Sequence, residues 1–195
     1  MCIIQVRIMK LFDVKNDNSS EAFALAYDKA VELDTDIVLA TTSGSTALRF
    51  AEYISDKDFA NKVIVVSHAY GTREKGRNAM SEETRKQLLD TGFTVVTAAH
   101  ALSGAERGLS NVFKGVYPVE IVAHALRMIS AGVKVCVEIS LMACDAGAIT
   151  YKKPVVCIGG TGRNADTVCV ITPTYSANLL ETKVNDILCK PSLYE

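Results

Sequence analysis

Ile37-Val38-Leu39-Ala40-Thr41-Thr42-Ser43-Gly44-Ser45-Thr46-Ala47-Leu48-Arg49-Phe50-Ala51-Glu52-Tyr53 is the stretch that decides the fold. Its first four residues form an apolar run suited to a strand buried on both faces. Its last seven read as a helix. Between them, the hydroxyls of Thr41, Thr42, Ser43, Ser45 and Thr46 surround the hinge at Gly44. A buried strand that opens through such a turn into a helix makes an anion site. The first backbone N–H groups of the helix have no intrahelical partner, and the helix dipole favours negative charge there. The stretch therefore predicts where a phosphate binds, and is silent on any reaction.

Outward from this point, apolar runs alternate with amphipathic ones. Ser19 or Ser20 caps a helix through residue 32, with Phe23, Ala26, Tyr27 and Ala30 on one face. Strands are predicted over 37–41, 63–67 and 94–98. A helix spans 45–55, and another runs from Ser81 to a stop at Gly92. Doubly apolar strands separated by helices imply a parallel sheet covered on both sides. Residues 100–115 read as a long loop carrying Gly104, Arg107, Gly108 and Gly115. Pro118 opens a helix to residue 130 with a polar stripe of Glu120, His124 and Arg127. Val133, Val135, Val137 and Ile139 alternate like a strand, but the stop at Gly147 favours a helix from residue 135. The runs 155–158 and 167–172 are too close for a helical crossover, so they predict an antiparallel edge. A last short strand is expected over 185–190.

The chain has 195 residues, 49% hydrophobic and 22% charged, with a formal net charge of −1. That suits a single domain with a good core, and makes nucleic acid or an acidic membrane a poor partner. No apolar run reaches the roughly 18 residues that span a bilayer. The first eight residues lack the features of a signal peptide, so a cytoplasmic protein is expected. Six cysteines include no C-x-x-C pair, and there are only three histidines. A structural zinc site is not expected. Cys136, Cys157, Cys169 and Cys189 sit in apolar runs and read as buried free thiols.

The strand–TTSGST–helix unit and the late helix–Ala146-Gly147-Ala148-Ile149–strand–Gly159-Gly160-Thr161-Gly162–strand unit resemble the C-terminal domain of pyruvate kinase. In that domain the first unit holds a phosphate of the sugar-bisphosphate effector. More closely, the chain is similar to a free-standing family of pyruvate kinase C-terminal-domain-like proteins of archaea and bacteria. The segments that carry this likeness are 67–76 (SHAYGTREKG), 100–108 (HALSGAERG), 118–121 (PVEI) and 134–139 (KVCVEI). The resemblance covers residues 9–195 as one domain, with 1–8 as an extension or the product of a misassigned start codon. It implies a three-layer α/β/α fold, mostly parallel with an antiparallel edge strand. It also implies a pocket for a phosphorylated compound, with flavin mononucleotide (FMN) favoured. The pyruvate kinase barrel has no counterpart, so pyruvate kinase activity is not implied. Some pyruvate kinases carry a basic residue where Ser45 stands. Here backbone dipoles and a distant Arg or Lys must neutralise the phosphate.

The remaining motifs are weighed against blander readings. No P-loop is present, so ATP hydrolysis is disfavoured. Gly160-Thr161-Gly162-Arg163-Asn164-Ala165 matches a dinucleotide fingerprint, but a strand follows where that fingerprint needs a helix. It reads better as a glycine loop that admits close ligand approach. His68 and His100 end adjacent strands and are candidate pocket residues, as hydrogen-bonding groups or as general acid or base. Arg73 and Arg107 are candidate cations for a phosphate, the latter from a mobile lid, whereas Lys75 and Arg77 read as solvated. Glu138 reads either as a functional buried carboxylate or, preferred, as a structural ion pair with Lys134 or an arginine. His124 and Glu120 read as a solvent-facing pair. No cysteine shows a neighbour that would activate it. The expected ligand site thus comprises Thr41 to Thr46, His68, Arg73, His100, Arg107 and Gly159 to Gly162, with no residue assigned to catalysis and no metal. The leading expectation is a protein that binds FMN or a similar phosphorylated molecule, as an enzyme of unknown substrate or as a plain binder. The alternatives are a non-catalytic module that senses a sugar phosphate, acting on a partner or across a homo-oligomer interface, and a phosphate-ester or nucleotide-modifying enzyme using the histidines.

Overall fold

Alternate residues of the central strands go to opposite cores. Ile37, Leu39, Val63, Val65, Val156 and Ile158 join one cluster, while Val38, Ile64, Val66, Val155 and Cys157 join the other. That division is what a sheet with helices on both faces requires. The structure is a computed structural model that describes residues 8–162 and 164–194. Cys2, residues 1–7 of the expected extension and Arg163 lie outside the described residues.

The elements are β1 (Lys10–Phe12), α1 (Ser19–Leu33), β2 (Ile37–Ala40), α2 (Ser45–Ile54), β3 (Val63–Ser67), α3 (Glu82–Asp90), β4 (Thr94–Thr97), α4 (Gly104–Phe113), α5 (Pro118–Ile129), α6 (Ala131–Asp145), β5 (Val155–Gly159), β6 (Thr167–Thr172) and β7 (Lys183–Pro191), with a 3₁₀ turn over Ser176–Glu181. The seven strands form one sheet in the order β1-β7-β6-β5-β2-β3-β4. Pairs β2–β3, β2–β5, β3–β4 and β1–β7 are parallel, and β6 is antiparallel to both its neighbours. The antiparallel pairing of β5 with β6 matches the sequence reading, and the sheet continues past it through β7 and β1. Helices α1, α2 and α3 cover one face through Phe23, Phe50 and Leu88. The other face is covered by α6, with α5 packed outside it through Ala123.

The structure corrects three expectations and extends two. Ser19 and Ser20 do not cap α1: they are its first helical residues, and Asn18 precedes them without a side-chain cap. The predicted 100–115 loop contains a regular helix, α4. Its glycines at 104 and 108 each cost about 1 kcal/mol of helix propensity, which hides it from a pattern reading. Tertiary bonds support it: Ser110 Oγ donates to Glu120 at 2.7 Å, and Glu106 accepts the Glu120 N–H at 3.0 Å. Arg107 is therefore an exposed helical residue, not part of an irregular lid. Those same bonds correct the Glu120–His124 pairing, because Glu120 faces α4 while His124 stays exposed. The helix expected from residue 135 begins at Ala131, capped by Ser130 Oγ, which accepts the Val133 N–H at 3.0 Å. The last strand is longer than 185–190 and has a parallel partner, β1, which the sequence reading did not contain.

All five described cysteines are free and buried. Burial pushes the Cys136 and Cys157 thiols well up, so neither is a ready nucleophile. Among the described residues, no helix is long and apolar enough to cross a membrane.

Candidate functional site

The C-terminal ends of β2, β3 and β5 open onto a pocket of about 280 Å³. This edge of a parallel sheet is where α/β folds bind ligands. One end is built by Thr41, Thr42 and Thr46, where β2 turns into α2. Gly44 makes that turn with φ +95°, a conformation costly for other residues, and its N–H donates to Thr41 Oγ1 at 3.1 Å. A Cβ there would stand 2.3 Å from the Thr84 methyl, so packing against α3 fixes glycine a second time. No side-chain oxygen caps the start of α2. Its first-turn N–H groups thus keep the anion-binding character read from the sequence.

The opposite wall belongs to α6. Val135, Glu138, Ile139 and Met142 line the pocket at spacings of three and four residues, one face of the helix. Ile158 and Val66 add further apolar surface. Gly159 is buried where α6 crosses close: a Cβ there would meet the Gly132 carbonyl oxygen at 2.7 Å. At Gly160 a Cβ would lie 1.9 Å from the Asn164 carbonyl oxygen, so the β5–β6 connection can fold back only on glycine. These glycines have structural reasons as well as a place in the lining.

His68 and His100 follow β3 and β4 and both line the pocket. Their rings meet edge to face with centroids 4.9 Å apart. Burial is the main cause that holds both imidazoles below the ordinary histidine value; for His68 the neighbouring His100 and Arg73 add to it. The His68 Nδ1 is buried and has no hydrogen-bond partner. Glu138 Oε2 stands 3.8 Å from His100 Nδ1 and is hydrogen-bonded by the Lys134 ammonium, while its Oε1 accepts the Leu102 N–H at 3.1 Å. The Lys134 ammonium is itself held below the ordinary lysine value, chiefly by burial and against the pull of Glu138.

Of the residues expected from the sequence, Thr41, Thr42, Thr46, His68, Arg73, His100, Gly159, Gly160 and Gly162 line one pocket. The others do not line it. Ser43 and Ser45 are exposed and share a 3.3 Å hydroxyl contact, while buried Gly44 shapes the turn. Thr161 is bonded to Asp166 through both its N–H and its hydroxyl. Arg107 sits outside the lining, although its charge acts on His100 and Lys134. The sequence reads Glu138 either as a functional buried carboxylate or, preferred, as a structural ion-pair partner of Lys134 or an arginine. The ion pair is there, and the same carboxylate also faces the pocket. The usable signal was the 135-138-139-142 spacing once the segment is a helix.

A family model described as the pyruvate kinase alpha/beta domain matches residues 21–171. The chain belongs to that family. The matched span runs from α1 into β6 and contains the whole pocket lining. Among solved structures, a pyruvate kinase from Cryptosporidium parvum is similar at 11% identity and TM-score 0.37, over 79% of this chain and 22% of that enzyme. A second structure, Cryptosporidium parvum pyruvate kinase in complex with ADP, is similar at 12% identity and TM-score 0.34, over 87% and 23%. The chain spans under a quarter of the length of these enzymes.

Proposed function

We propose that the pocket binds a phosphorylated small molecule, with flavin mononucleotide the leading candidate. The observation that carries this reading is the uncapped start of α2 at one end of the pocket that the α6 face and two histidines complete. An amphiphilic ligand suits that arrangement. The α2 N–H groups with Thr41, Thr42 and Thr46 would hold the phosphate, and Arg73 would neutralise part of its charge. Val66, Val135, Ile139, Met142 and Ile158 offer apolar walls to a flat ring. The unpartnered His68 Nδ1 supplies a polar group that a heteroatom-rich ring could satisfy. A bound flavin would bring hydride and electron transfer to the site. The buried free thiols suit a reducing compartment, and we assign the protein to the cytoplasm on that basis.

The test is an absorption spectrum of the purified protein, followed by titration with FMN. A yellow protein, or saturable quenching of added FMN, supports the reading. A colourless protein whose melting temperature rises with sugar phosphates and not with FMN overturns the flavin assignment. That second outcome would favour a regulatory module, which one feature supports independently. Leu109, Val112, Phe113 and Val116 in and after α4, with Ile121 and Met128 on α5, are large apolar side chains left exposed. They are suited to a contact through which a signal could pass to another copy.

A further inference from the structure

Holding a phosphorylated ligand does not require the ionisable chain at the far wall of the pocket. Lys134 and Glu138 lie one turn apart on α6, each about 5% exposed, within a helix whose other buried residues are uncharged. Buried ion pairs are a poor way to gain stability, since desolvation offsets their attraction. Here the carboxylate has three neighbours: the Lys134 ammonium, the Leu102 N–H and the His100 Nδ1. Leu102 sits two residues beyond His100, so one carboxylate is bonded to the loop and stands 3.8 Å from its imidazole. A proton carried on Nδ1 would face the Glu138 carboxylate, and Nε2 would then be the nitrogen left as an acceptor in the neutral ring.

We propose that His100 is the proton-transfer group of this pocket and that Glu138 is the positioning residue that fixes its tautomer, with Lys134 holding the carboxylate in place. The inference rests on reading the pocket as a ligand site, and it makes that site one for acid–base chemistry. The ligand class is a phosphorylated compound bearing a protic O–H or N–H at the end away from its phosphate. In the step, that O–H or N–H bond breaks and an N–H bond forms at His100 Nε2. The electron pair stays on the ligand atom, and the imidazolium formed is countered by Glu138. The reverse step returns the proton, so no other reactant is consumed. The charged and titratable groups acting on His100 are Glu138, which favours its cation, and Lys134 and Arg107, which oppose it; His68 lies against its ring. Burial joins the two cations in keeping the imidazole neutral before the ligand gives up its proton.

The test is a two-bond ¹H–¹⁵N spectrum of the protein with labelled histidine, taken above the histidine titration range. The three histidines are assigned with His68→Gln and His124→Gln. The neutral His100 of the unaltered protein is expected as the Nδ1–H tautomer. In the double variant Lys134→Met, Glu138→Leu, which replaces the pair by apolar groups, it is expected to revert to the Nε2–H form that free histidine prefers. An Nε2–H or mixed form in the unaltered protein overturns the proposal, with no variant needing to fold. Retention of Nδ1–H in a folded double variant overturns the role of Glu138. FMN titration separates this from the ligand reading. Binding of FMN with a mixed His100 tautomer sinks the proton-transfer dyad alone. A fixed tautomer with no FMN binding sinks the flavin and leaves the dyad. Where FMN binds, the His100 titration should move by about one pH unit, and an unmoved titration overturns contact between His100 and the ligand.

Discussion

Two helices begin beside the same end of the sheet, and they begin differently. The start of α6 is sealed. Ser130 caps it, and Gly132 lies so close to Thr167 that a Cβ would stand 2.0 Å from its hydroxyl oxygen. Asp166 bonds the Thr167 hydroxyl at 2.7 Å and closes the corner. The start of α2 is left open, with no side-chain cap, a left-handed glycine and exposed hydroxyls on either side. The same backbone dipole serves the fold in one case and faces the pocket in the other. What decides between them is whether protein atoms have already used the N–H groups.

The sharpest way to break this contrast is Gly132→Ala. The added methyl has nowhere to go against a fully buried threonine, and should cost roughly 3 kcal/mol or more in denaturant unfolding. A loss under about 1 kcal/mol would mean that the corner is loosely packed. Gly44→Ala comes next. Left-handed φ and the Thr84 methyl together should cost about 2 kcal/mol, and ligand affinity should fall with it. Ser130→Ala should cost about 1 kcal/mol by loss of the cap, while Ser43→Ala should leave thermal stability where it was. Equal losses would erase the difference between a sealed and an open start.

A smaller effect is expected from pH. Both pocket imidazoles titrate below the ordinary value of 6.5, so the unfolded chain binds more protons than the folded one in the window beneath it. Stability should therefore fall as pH drops below 6.5, until the folded-state values are passed. Melting temperatures from pH 8 to pH 5 should show this slope, and His68→Asn with His100→Asn should flatten it. Least of all on stability, the pair Thr42→Ala and Thr46→Ala should leave the melting curve unchanged and weaken FMN binding about tenfold, as loss of one or two hydroxyl hydrogen bonds would. Unchanged affinity would remove the open helix start from the site.

The open start was legible because everything it needs is local: an apolar strand, one glycine and a cluster of hydroxyls within ten residues. The β5–β6 hairpin was legible for the same reason, its connection being too short for anything else. Helix α6 was harder. With twelve of its fifteen residues buried it has no polar face, so the 3.6-residue period vanished and Val133 to Ile139 mimicked a strand. The two-histidine meeting could be guessed from strand ends, but not the approach of Glu138, which comes from α6, far along the chain. Helix α4 was hidden by Gly104 and Gly108, and it is held by bonds to α5 that no local window contains. β1 has only three residues, and its one partner lies at the other end of the chain.

That last pairing bears on how the protein is made. Lys10 sits opposite Cys189 and Phe12 opposite Pro191, so, among the described strands, the one synthesised first waits for the one synthesised last. While the rest of the sheet can assemble as it leaves the ribosome, this edge stays unfinished until translation has run almost to the end of the described chain. The closing of β1 onto β7 adds the final edge to a sheet whose early and late strands are already joined through the β2–β5 pair.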